Sequence, residues 1–441
     1  MPNPLNRLHD LGQSIWLDYL RRDMLLNGRQ ARLIREDDLS GQTSNPTIFQ
    51  KAIAESDLYD DDIRAAGANP DPNAVFESIV IQDIRTAADL FRPVYERTDG
   101  EDGFVSVEVS PDLAWDTDGS IEEARRLWDS IDRPNLMVKI PGTREGLPAI
   151  RDCLAAGINI NITLLFSVDR YHEVMDAWFD AMERRVERGE RIDRIASVAS
   201  FFVSRVDSKV DQRIGERLAR VADDQRGRLE AVEGRIGIDN ARLAFQAYEQ
   251  RFGEDRFAAL AAEGARPQRP LWASTSTKNP DYPDVYYVEA LLAPGTVDTL
   301  PPETLEAYRD HGEPAVRIYE DLDGAHRRVA ELGELGIDFR IVLEELENGR
   351  SVLTVPGRPG SVSTRLHRTP LRRRRLRPSQ PVGALLRRNC RTPARSWPGV
   401  GRGPAGCGSP SCIDGGRSPP ARRARPGAPG HGPSRSPSPG S

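Results

Sequence analysis

Lys139 is the residue of this sequence whose surroundings best suit covalent chemistry. It interrupts an apolar, strand-like run, LMVKIPG at 136–142, and it is one of only four lysines among 61 basic residues. Lysine is the basic side chain that burial can deprotonate, and its free amine attacks carbonyl carbons. The run alone leaves two interpretations open: a Schiff-base nucleophile, or a strand-end lysine whose ammonium group extends into solvent.

Two carboxylates could move the protons that imine formation and hydrolysis require. Glu108 occupies a polar position in the alternating run FVSVEV at 104–109, and Asp18 ends the apolar run IWLD at 15–18. Each also has a purely structural interpretation. Glu108 could be a solvated carboxylate at a strand end, and Asp18 could cap the start of a helix.

Amide and hydroxyl side chains in other runs could bind a polyol substrate. Asn161 and Thr163 alternate with apolar residues and could bind substrate hydroxyls or satisfy each other inside the fold. Asn45 precedes Pro46, which is also typical of a turn or a helix cap. These alternatives stay open from the residues alone.

Basic residues near two later strand ends could bind an anion. Arg205 and Lys278 lie in segments that also carry Ser200, Ser274 and Ser276. Such a set suits phosphate, although isolated basic residues are more often solvated surface charges. The six histidines have no metal-ligand spacing, so we expect a mechanism without a metal ion or another cofactor.

Strand-like runs that alternate with helical patterns must position these residues. The predicted strands are 14–18, 40–44, 104–109, 136–140, 158–165, 195–203, 270–275 and 296–300. The predicted helices include 120–130, 168–188, 206–219, 238–252 and 302–347, the first with Ser120 as its cap and Glu123 completing a capping box. About eight strands in this alternation predict a (β/α)8 TIM-type barrel with added helices. An open doubly wound sheet is the alternative, and the lack of a glycine-rich nucleotide fingerprint disfavours it.

The two faces of the predicted strands differ in polarity. In the run at 158–165, Ile158, Ile160, Ile162 and Leu164 alternate with Asn159, Asn161 and Thr163. Valines alternate with Ser106 and Glu108 in the run at 104–109 in the same way. A barrel explains this pattern if the aliphatic faces meet the helices and the polar faces converge inside, with the chemistry at the carboxyl ends of the strands. In such a barrel the nucleophile interpretation of Lys139 is favoured.

The chain has two regions of opposite charge. Residues 1–348 carry 42 basic and 66 acidic residues, a net charge of −24, whereas the remainder has 19 arginines and one acid, Asp414. We therefore predict one large barrel domain over 1–348 and a disordered, basic, Arg/Pro/Gly-rich tail over 349–441. The acidic body argues against nucleic-acid binding by the folded domain. Non-specific binding of phosphate backbones by the cluster Arg372–Arg375 is a second hypothesis.

The cellular location is predicted from absent signals. Three of the four cysteines lie in the predicted tail, which leaves Cys153 alone in the body without a disulfide partner. The N-terminus has no basic region followed by an apolar stretch, and no run approaches the length of a membrane span. We expect a cytoplasmic protein with no membrane partner.

Six segments, in order, resemble the transaldolases. They are TSNPT at 43–47, VEVSP at 107–111, LMVKIPGT at 136–143, GININITLLFS at 157–167, ASFFVSRVDSKVD at 199–211 and LWASTSTKNP at 271–280. The resemblance spans about residues 5–347. It implies a class I aldolase barrel that transfers dihydroxyacetone from a ketose phosphate to an aldose phosphate in the non-oxidative pentose phosphate pathway. The implied donors are sedoheptulose 7-phosphate and fructose 6-phosphate, and the implied acceptors are glyceraldehyde 3-phosphate and erythrose 4-phosphate.

The resemblance also implies a role for each matching residue. Lys139 would form the imine, Asp18 would take the hydroxyl proton that triggers carbon–carbon cleavage, and Glu108 would act with a water held by Thr163. The dihydroxyacetone unit would be held by Asn45 and Asn161, the pocket lined by Ser200 and Phe202, and the phosphate bound by Arg205, Ser274 and Lys278. Lys278 departs from relatives that have a second arginine there, and a lysine offers a point charge in place of a planar fork.

Two further hypotheses concern the reaction and the tail. A class I aldolase that releases free dihydroxyacetone, or that splits another ketose phosphate, would share the lysine chemistry. The resemblance ends where relatives continue with an amphipathic C-terminal helix, and in this chain the pattern breaks near Gly349. The composition beyond that point is typical of an out-of-frame reading of a GC-rich gene.

Overall fold

A closed barrel of eight parallel strands forms the centre of the computed structural model, which describes residues 3–67, 71–221 and 223–354. The strands are β1 Ser14–Asp18, β2 Gly41–Thr43, β3 Phe104–Glu108, β4 Leu136–Pro141, β5 Ile160–Leu165, β6 Ser197–Phe202, β7 Arg269–Ala273 and β8 Val297–Leu300. Each strand pairs with the next one along the chain, and β8 pairs with β1 to close the ring. The predicted TIM-type barrel is confirmed, and all eight predicted strands are found.

Helices connect the strands and surround the barrel. They are α1 Pro4–Asp10, α2 Arg22–Leu26, α3 Arg29–Glu36, α4 Pro46–Ala54, α5 Asp60–Ala65, α6 Pro72–Arg97, α7 Thr117–Ile131, α8 Gly146–Ala155, α9 Val168–Glu187, α10 Ser204–Leu218, α11 Asp223–Val232, α12 Ile236–Phe252, α13 Asp255–Ala262, α14 Tyr286–Ala290, α15 Pro302–His311, α16 Leu322–Glu334 and α17 Phe339–Thr354. Several connections hold more than one helix, as expected for a barrel with added helices. No helix among the described residues is long and apolar enough to cross a membrane.

Two of the predicted helices differ from the structure. The predicted cap Ser120 lies inside α7, where its hydroxyl donates to the Leu113 carbonyl, and the true cap is Asp116, which accepts a bond from the Gly119 amide at 3.0 Å. The pattern at 302–347 is three helices, α15 to α17. Gly312 ends the first of them, and Gly336, with φ of 76°, lies in the turn between the second and the third.

The inside of the barrel has an apolar layer below a polar one. Trp16, Phe104, Met137, Val198 and Val297 belong to one buried apolar cluster at the amino-terminal half of the strands. Because side chains alternate, the residue two positions later on each strand faces the same way. Those later residues also face the inside of the barrel, and they lie nearer its carboxyl end: Asp18, Ser106, Lys139, Ser200 and Thr299. The predicted polar interior is therefore present, above an apolar floor.

Strand β5 carries the one departure from the predicted alternation that affects the site. The pairing with β6 shifts register between Ile162 and Leu165, and Leu164 has a φ of 61°. Leu165 packs in the outer cluster beneath the helices, whereas Leu164 joins the inner one. The predicted outward position of Leu164 is wrong, because a bulge moves every later side chain to the other face.

The structure bears on only the first residues of the predicted tail. Helix α17 continues past the predicted boundary at 348 and ends at Thr354. The remainder of the predicted tail, from 355 to 441, lies outside the described residues.

Candidate active site at the carboxyl end of the barrel

The amine of Lys139 lies inside the mouth of the barrel. Its Nζ is 3.3 Å from the backbone oxygen of Ser44, which follows β2, and 3.3 Å from Oε2 of Glu108. Only 9% of the Lys139 side chain is exposed. The ammonium group therefore meets two acceptors within the fold, where the alternative interpretation would place it in solvent.

Glu108 reaches Lys139 because the two residues are partners in adjacent strands. Strand β3 pairs with β4 so that Glu108 stands opposite Lys139, and the Val109 amide donates to the Lys139 carbonyl at 3.1 Å. The Glu108 side chain is 8% exposed. The structure thus shows a buried, ion-paired carboxylate where the alternative interpretation expected a solvated one.

Asp18 is tied to the two strands that flank it. Its Oδ1 accepts a hydrogen bond from the Thr43 hydroxyl of β2 at 2.8 Å, and that hydroxyl lies 2.9 Å from the hydroxyl of Thr299 on β8. Helix α2 begins at Arg22, with Arg21 in the cap position. Asp18 is therefore not a helix cap, and its half-buried carboxylate belongs to the polar interior.

A hydrogen-bonded row crosses strands β3, β5 and β6 beside the lysine. Asn161 stands opposite Lys139 in the β4–β5 pairing. Its Nδ2 donates to the Ser106 hydroxyl at 3.1 Å, and its Oδ1 accepts from the Ser200 hydroxyl at 2.7 Å. A hydroxyl on each side therefore fixes the orientation of the amide.

Thr163 and Asn45 lie on opposite sides of Lys139. Thr163 is buried on β5, two residues after Asn161, and its carbonyl accepts from the Gly142 amide at 2.7 Å. Asn45 is the cap of α4, and its Oδ1 accepts from the Ile48 amide at 3.1 Å. The cap interpretation of Asn45 is therefore correct, and the cap occupies only the carbonyl end of its side chain.

Arg205 stands in the first turn of α10, immediately after β6. Its guanidinium carbon lies 4.7 Å from the ring centroid of Phe202, a cation–π arrangement. The Nη1 of Arg205 is buried and has no hydrogen-bond partner among the described residues. A buried guanidinium N–H without an acceptor is costly for the folded chain, and an anionic ligand would satisfy it.

Ser274 and Lys278 belong to the loop that follows β7. The backbone of Ser274 is left-handed, with φ of 59°, and its hydroxyl lies 3.0 Å from that of Ser204 at the start of α10. Lys278 is exposed, and its Nζ donates to the Ser276 hydroxyl at 2.5 Å. The contact with Ser204 places Ser274 close to the start of α10, and Arg205 is the next residue of that helix. Lys278, by contrast, lies at the exposed rim of the barrel mouth.

Comparison with known proteins identifies the family. The family model described as Transaldolase/Fructose-6-phosphate aldolase matches residues 15–350 of this chain. This chain belongs to that family.

Similar proteins extend the agreement to more than nine tenths of their own length. The transaldolase of Acidothermus cellulolyticus is 49% identical over 352 residues, which are 79% of this chain and 92% of that protein. Those of Thermobifida fusca and Trichodesmium erythraeum are 49% and 47% identical and are covered over 93% and 92% of their lengths, by 79% and 78% of this chain. The predicted transaldolase function, that of a transferase acting on sugar phosphates, is confirmed, and an aldolase of another kind is not favoured.

Four residues that contact the site were not predicted as site residues from the sequence. The missed residues are Thr43 and Thr299, which contact Asp18 or each other, the Ser44 carbonyl, which contacts Lys139, and Ser106, which contacts Asn161. Ser106 and Thr299 follow an inward apolar residue by two positions, and that spacing could have predicted them. Among the described residues no group of His, Cys, Asp and Glu could hold a metal ion.

Proposed function

We propose that this enzyme transfers a dihydroxyacetone unit through a Schiff base on Lys139. The donor would be sedoheptulose 7-phosphate or fructose 6-phosphate, and the acceptor would be glyceraldehyde 3-phosphate or erythrose 4-phosphate, in the non-oxidative pentose phosphate pathway. The observation that carries this assignment is the buried Lys139 amine, 3.3 Å from a carboxylate that can accept its proton. A nucleophile with an adjacent base is the arrangement that covalent catalysis requires.

Imine formation is the first step. Glu108 takes a proton from the Lys139 ammonium group, and the free amine attacks the C2 carbonyl of the ketose phosphate. The carbinolamine hydroxyl then receives a proton and leaves as water, which gives a protonated imine. Glu108 supplies that proton directly or through a water held by Thr163, which lies beside Asn161 on the neighbouring strand.

Carbon–carbon cleavage follows once the imine is protonated. Asp18 removes the proton of the C4 hydroxyl, the C3–C4 bond breaks, and its electron pair moves into the iminium group to give an enamine. The Thr43 hydroxyl, 2.8 Å from Asp18 Oδ1, orients that carboxylate. The aldose phosphate leaves, while the three-carbon unit stays on Lys139.

The bound three-carbon unit then waits for an acceptor. The oriented amide of Asn161 and the free nitrogen end of Asn45 would hold its hydroxyls, within a pocket that Ser200 and Phe202 line. Addition to a second aldose phosphate reverses the cleavage, and hydrolysis of the new imine releases the product and restores Lys139. A ping-pong order follows from the covalent carrier.

The phosphate groups of both substrates would bind at one place. Arg205 has a buried N–H without a partner among the described residues, and it stands beside the Ser204–Ser274 hydroxyl pair. Lys278 would add a point charge at the rim. The exposed position of Lys278 makes its contribution smaller than that of Arg205.

Borohydride trapping tests the assignment of the nucleophile. With fructose 6-phosphate, reduction should fix a three-carbon unit on Lys139, and mass spectrometry of the peptides should locate it. Lys139→Arg should abolish both label and turnover, because arginine stays protonated. Label on another residue, or full activity of Lys139→Arg, would overturn the assignment. Turnover that needs erythrose 4-phosphate distinguishes transfer from release of free dihydroxyacetone.

The setting of the enzyme and the nature of its tail are part of the same proposal. We place the enzyme in the cytoplasm, and we assign the acidic barrel no nucleic-acid partner, since its net charge of −24 repels phosphate backbones.

The family match ends at residue 350, which is consistent with an out-of-frame reading beyond it. Resequencing should then reveal a frame that encodes an amphipathic helix, and an intact reading frame in independent clones would refute this origin.

A further inference from the structure

The loop after β7, residues 274–285, carries two of the proposed phosphate-binding residues but has little regular structure of its own. It begins with Ser274 in the left-handed region, with φ of 59°, a conformation that is strained for a residue with a side chain. Such a residue persists only when its surroundings determine its conformation. Two side chains of the loop contact carboxylates that lie outside the proposed reaction centre.

The first of these contacts joins Thr275 to Asp298 of β8. The Thr275 hydroxyl lies 3.0 Å from Asp298 Oδ1 and 3.3 Å from the Thr299 carbonyl oxygen, and Thr275 and Asp298 are both fully buried. One hydroxyl proton cannot serve both acceptors well. The Thr275 hydroxyl donates to one of these two acceptors at a time, and burial raises the pKa of the Asp298 carboxyl to about 8.

The second contact joins Tyr282 to Asp211 of α10. The Tyr282 hydroxyl donates to Asp211 Oδ2 at 3.1 Å, and Asp211 Oδ1 accepts from the Gly234 amide at 2.9 Å. Helix α10 also carries Arg205, in its first turn. One carboxylate therefore fixes the far end of the loop, and the turn before α12, to the helix that carries the proposed phosphate-binding arginine.

We propose that Thr275 and Tyr282 are positioning residues that hold the 274–285 loop in the shape that binds the substrate phosphate. Neither residue touches the reacting atoms. Asp298 acts through Thr275 on the segment that carries Ser274, and Asp211 acts through Tyr282 on the segment after Lys278. This inference rests on the proposed phosphate site, because a loop that binds no phosphate would gain nothing from these contacts.

The size of the expected effect follows from the contacts. A loop that is not held must be ordered when phosphate binds, and the binding free energy falls by that amount. One hydrogen bond contributes on the order of 1 kcal/mol, which corresponds to about a fivefold change in affinity. We therefore expect Thr275→Val and Tyr282→Phe each to weaken phosphate binding about five- to tenfold.

The test uses inorganic phosphate and the full-length chain. Calorimetric titration measures the Kd of phosphate without turnover, and steady-state assays give KM and kcat for fructose 6-phosphate. In both variants we expect Kd and KM to rise together by more than kcat falls. Thr275→Ser, which keeps the hydroxyl, should restore wild-type affinity. The matched controls are Tyr319→Phe and Thr86→Val, whose hydroxyls bond Glu249 and Gln82 in other parts of the fold.

Two results would overturn the inference. One is a wild-type phosphate Kd in both Thr275→Val and Tyr282→Phe. The other is an equal loss of phosphate affinity and of borohydride trapping by unphosphorylated dihydroxyacetone, which would indicate a general folding defect. A wild-type chain that binds phosphate but is never labelled at Lys139 would instead refute the proposed function and leave the role of the loop intact.

Discussion

Glu108→Gln separates the proton-transfer role of Glu108 from the nucleophilic role of Lys139. Glutamine keeps the size of the side chain and an oxygen acceptor near Nζ, and it removes the charge and the ability to exchange protons. The Ser44 carbonyl, also 3.3 Å from Nζ, is unchanged by the substitution. We expect a folded enzyme that forms the imine slowly and turns over poorly.

Two magnitudes are expected for Glu108→Gln, a loss of unfolding free energy and a fall in kcat. At 3.3 Å and an effective dielectric constant of about 20, the attraction between Lys139 and Glu108 is about 5 kcal/mol, and desolvation of two buried ions offsets much of it. Removing one partner of a buried ion pair lowers the free energy of unfolding by about 3–5 kcal/mol. Because the glutamine oxygen and the Ser44 carbonyl still accept from Lys139, we expect a loss near the lower figure. General acid–base catalysis contributes about 10²- to 10⁴-fold, so kcat should fall by about a thousandfold.

The assay combines turnover, trapping and unfolding. Release of glyceraldehyde 3-phosphate from fructose 6-phosphate and erythrose 4-phosphate gives kcat, borohydride trapping shows whether Lys139 still forms the imine, and urea titration gives the free energy of unfolding. Glu122→Gln, on the exposed face of α7, is the matched control. A wild-type kcat in Glu108→Gln would refute the assigned role. So would a variant that stays folded but cannot be labelled at Lys139 even after long incubation.

Three further predictions concern other parts of the molecule. Asp298→Asn should flatten the pH dependence of stability: the folded pKa is raised from 3.8 to about 8, so the wild type loses up to about 1.4 kcal/mol of unfolding free energy per unit as pH rises from about 4 to 8. Urea unfolding at pH 5 and 8 checks this, with the exposed substitution Asp129→Asn as the control. An unfolding free energy that rises with pH in the wild type relative to Asp298→Asn would contradict it. Asp18→Asn should still form the imine with fructose 6-phosphate but cleave the C3–C4 bond about 10²- to 10³-fold more slowly in a single turnover; rapid cleavage would remove Asp18 from the mechanism. A chain that stops after Thr354 should keep kcat/KM within about twofold of the full-length value, because the family match ends at residue 350, and a large loss would show that the segment beyond is not dispensable.

The barrel itself was predictable because its cause is local. Each strand alternates aliphatic and polar residues, and that pattern depends on sequence neighbours alone. One error arose where a distant part of the chain decides the outcome, and the other from a choice between two nearby capping residues. Leu164 faces inward because β5 shifts its register against β6, and Asp116 displaces Ser120 as the cap of α7 through its bond to the Gly119 amide.

The candidate site divides in the same way. Alternation and family resemblance together identified Lys139, Glu108 and Asp18, and the structure brings all three into one interior. Lys278 is at the rim and exposed, which the sequence could not show. The backbone contact of Lys139 with the Ser44 carbonyl has no signal in the sequence, whereas the positions of Ser106 and Thr299 follow from strand alternation but their hydrogen-bond partners do not.

The sequence by itself determined which residues have the chemistry: a rare lysine in an apolar strand, carboxylates on polar strand faces, and an arginine after a buried strand. Only the tertiary structure decided which atoms meet. The Ser44 carbonyl that accepts from Lys139 lies 95 residues away along the chain, and the Thr299 hydroxyl beside Thr43 lies 256 residues away. Closure of the ring brings these strand ends together. Because a hydrogen bond depends on tenths of an ångström, no periodicity in the sequence can specify it.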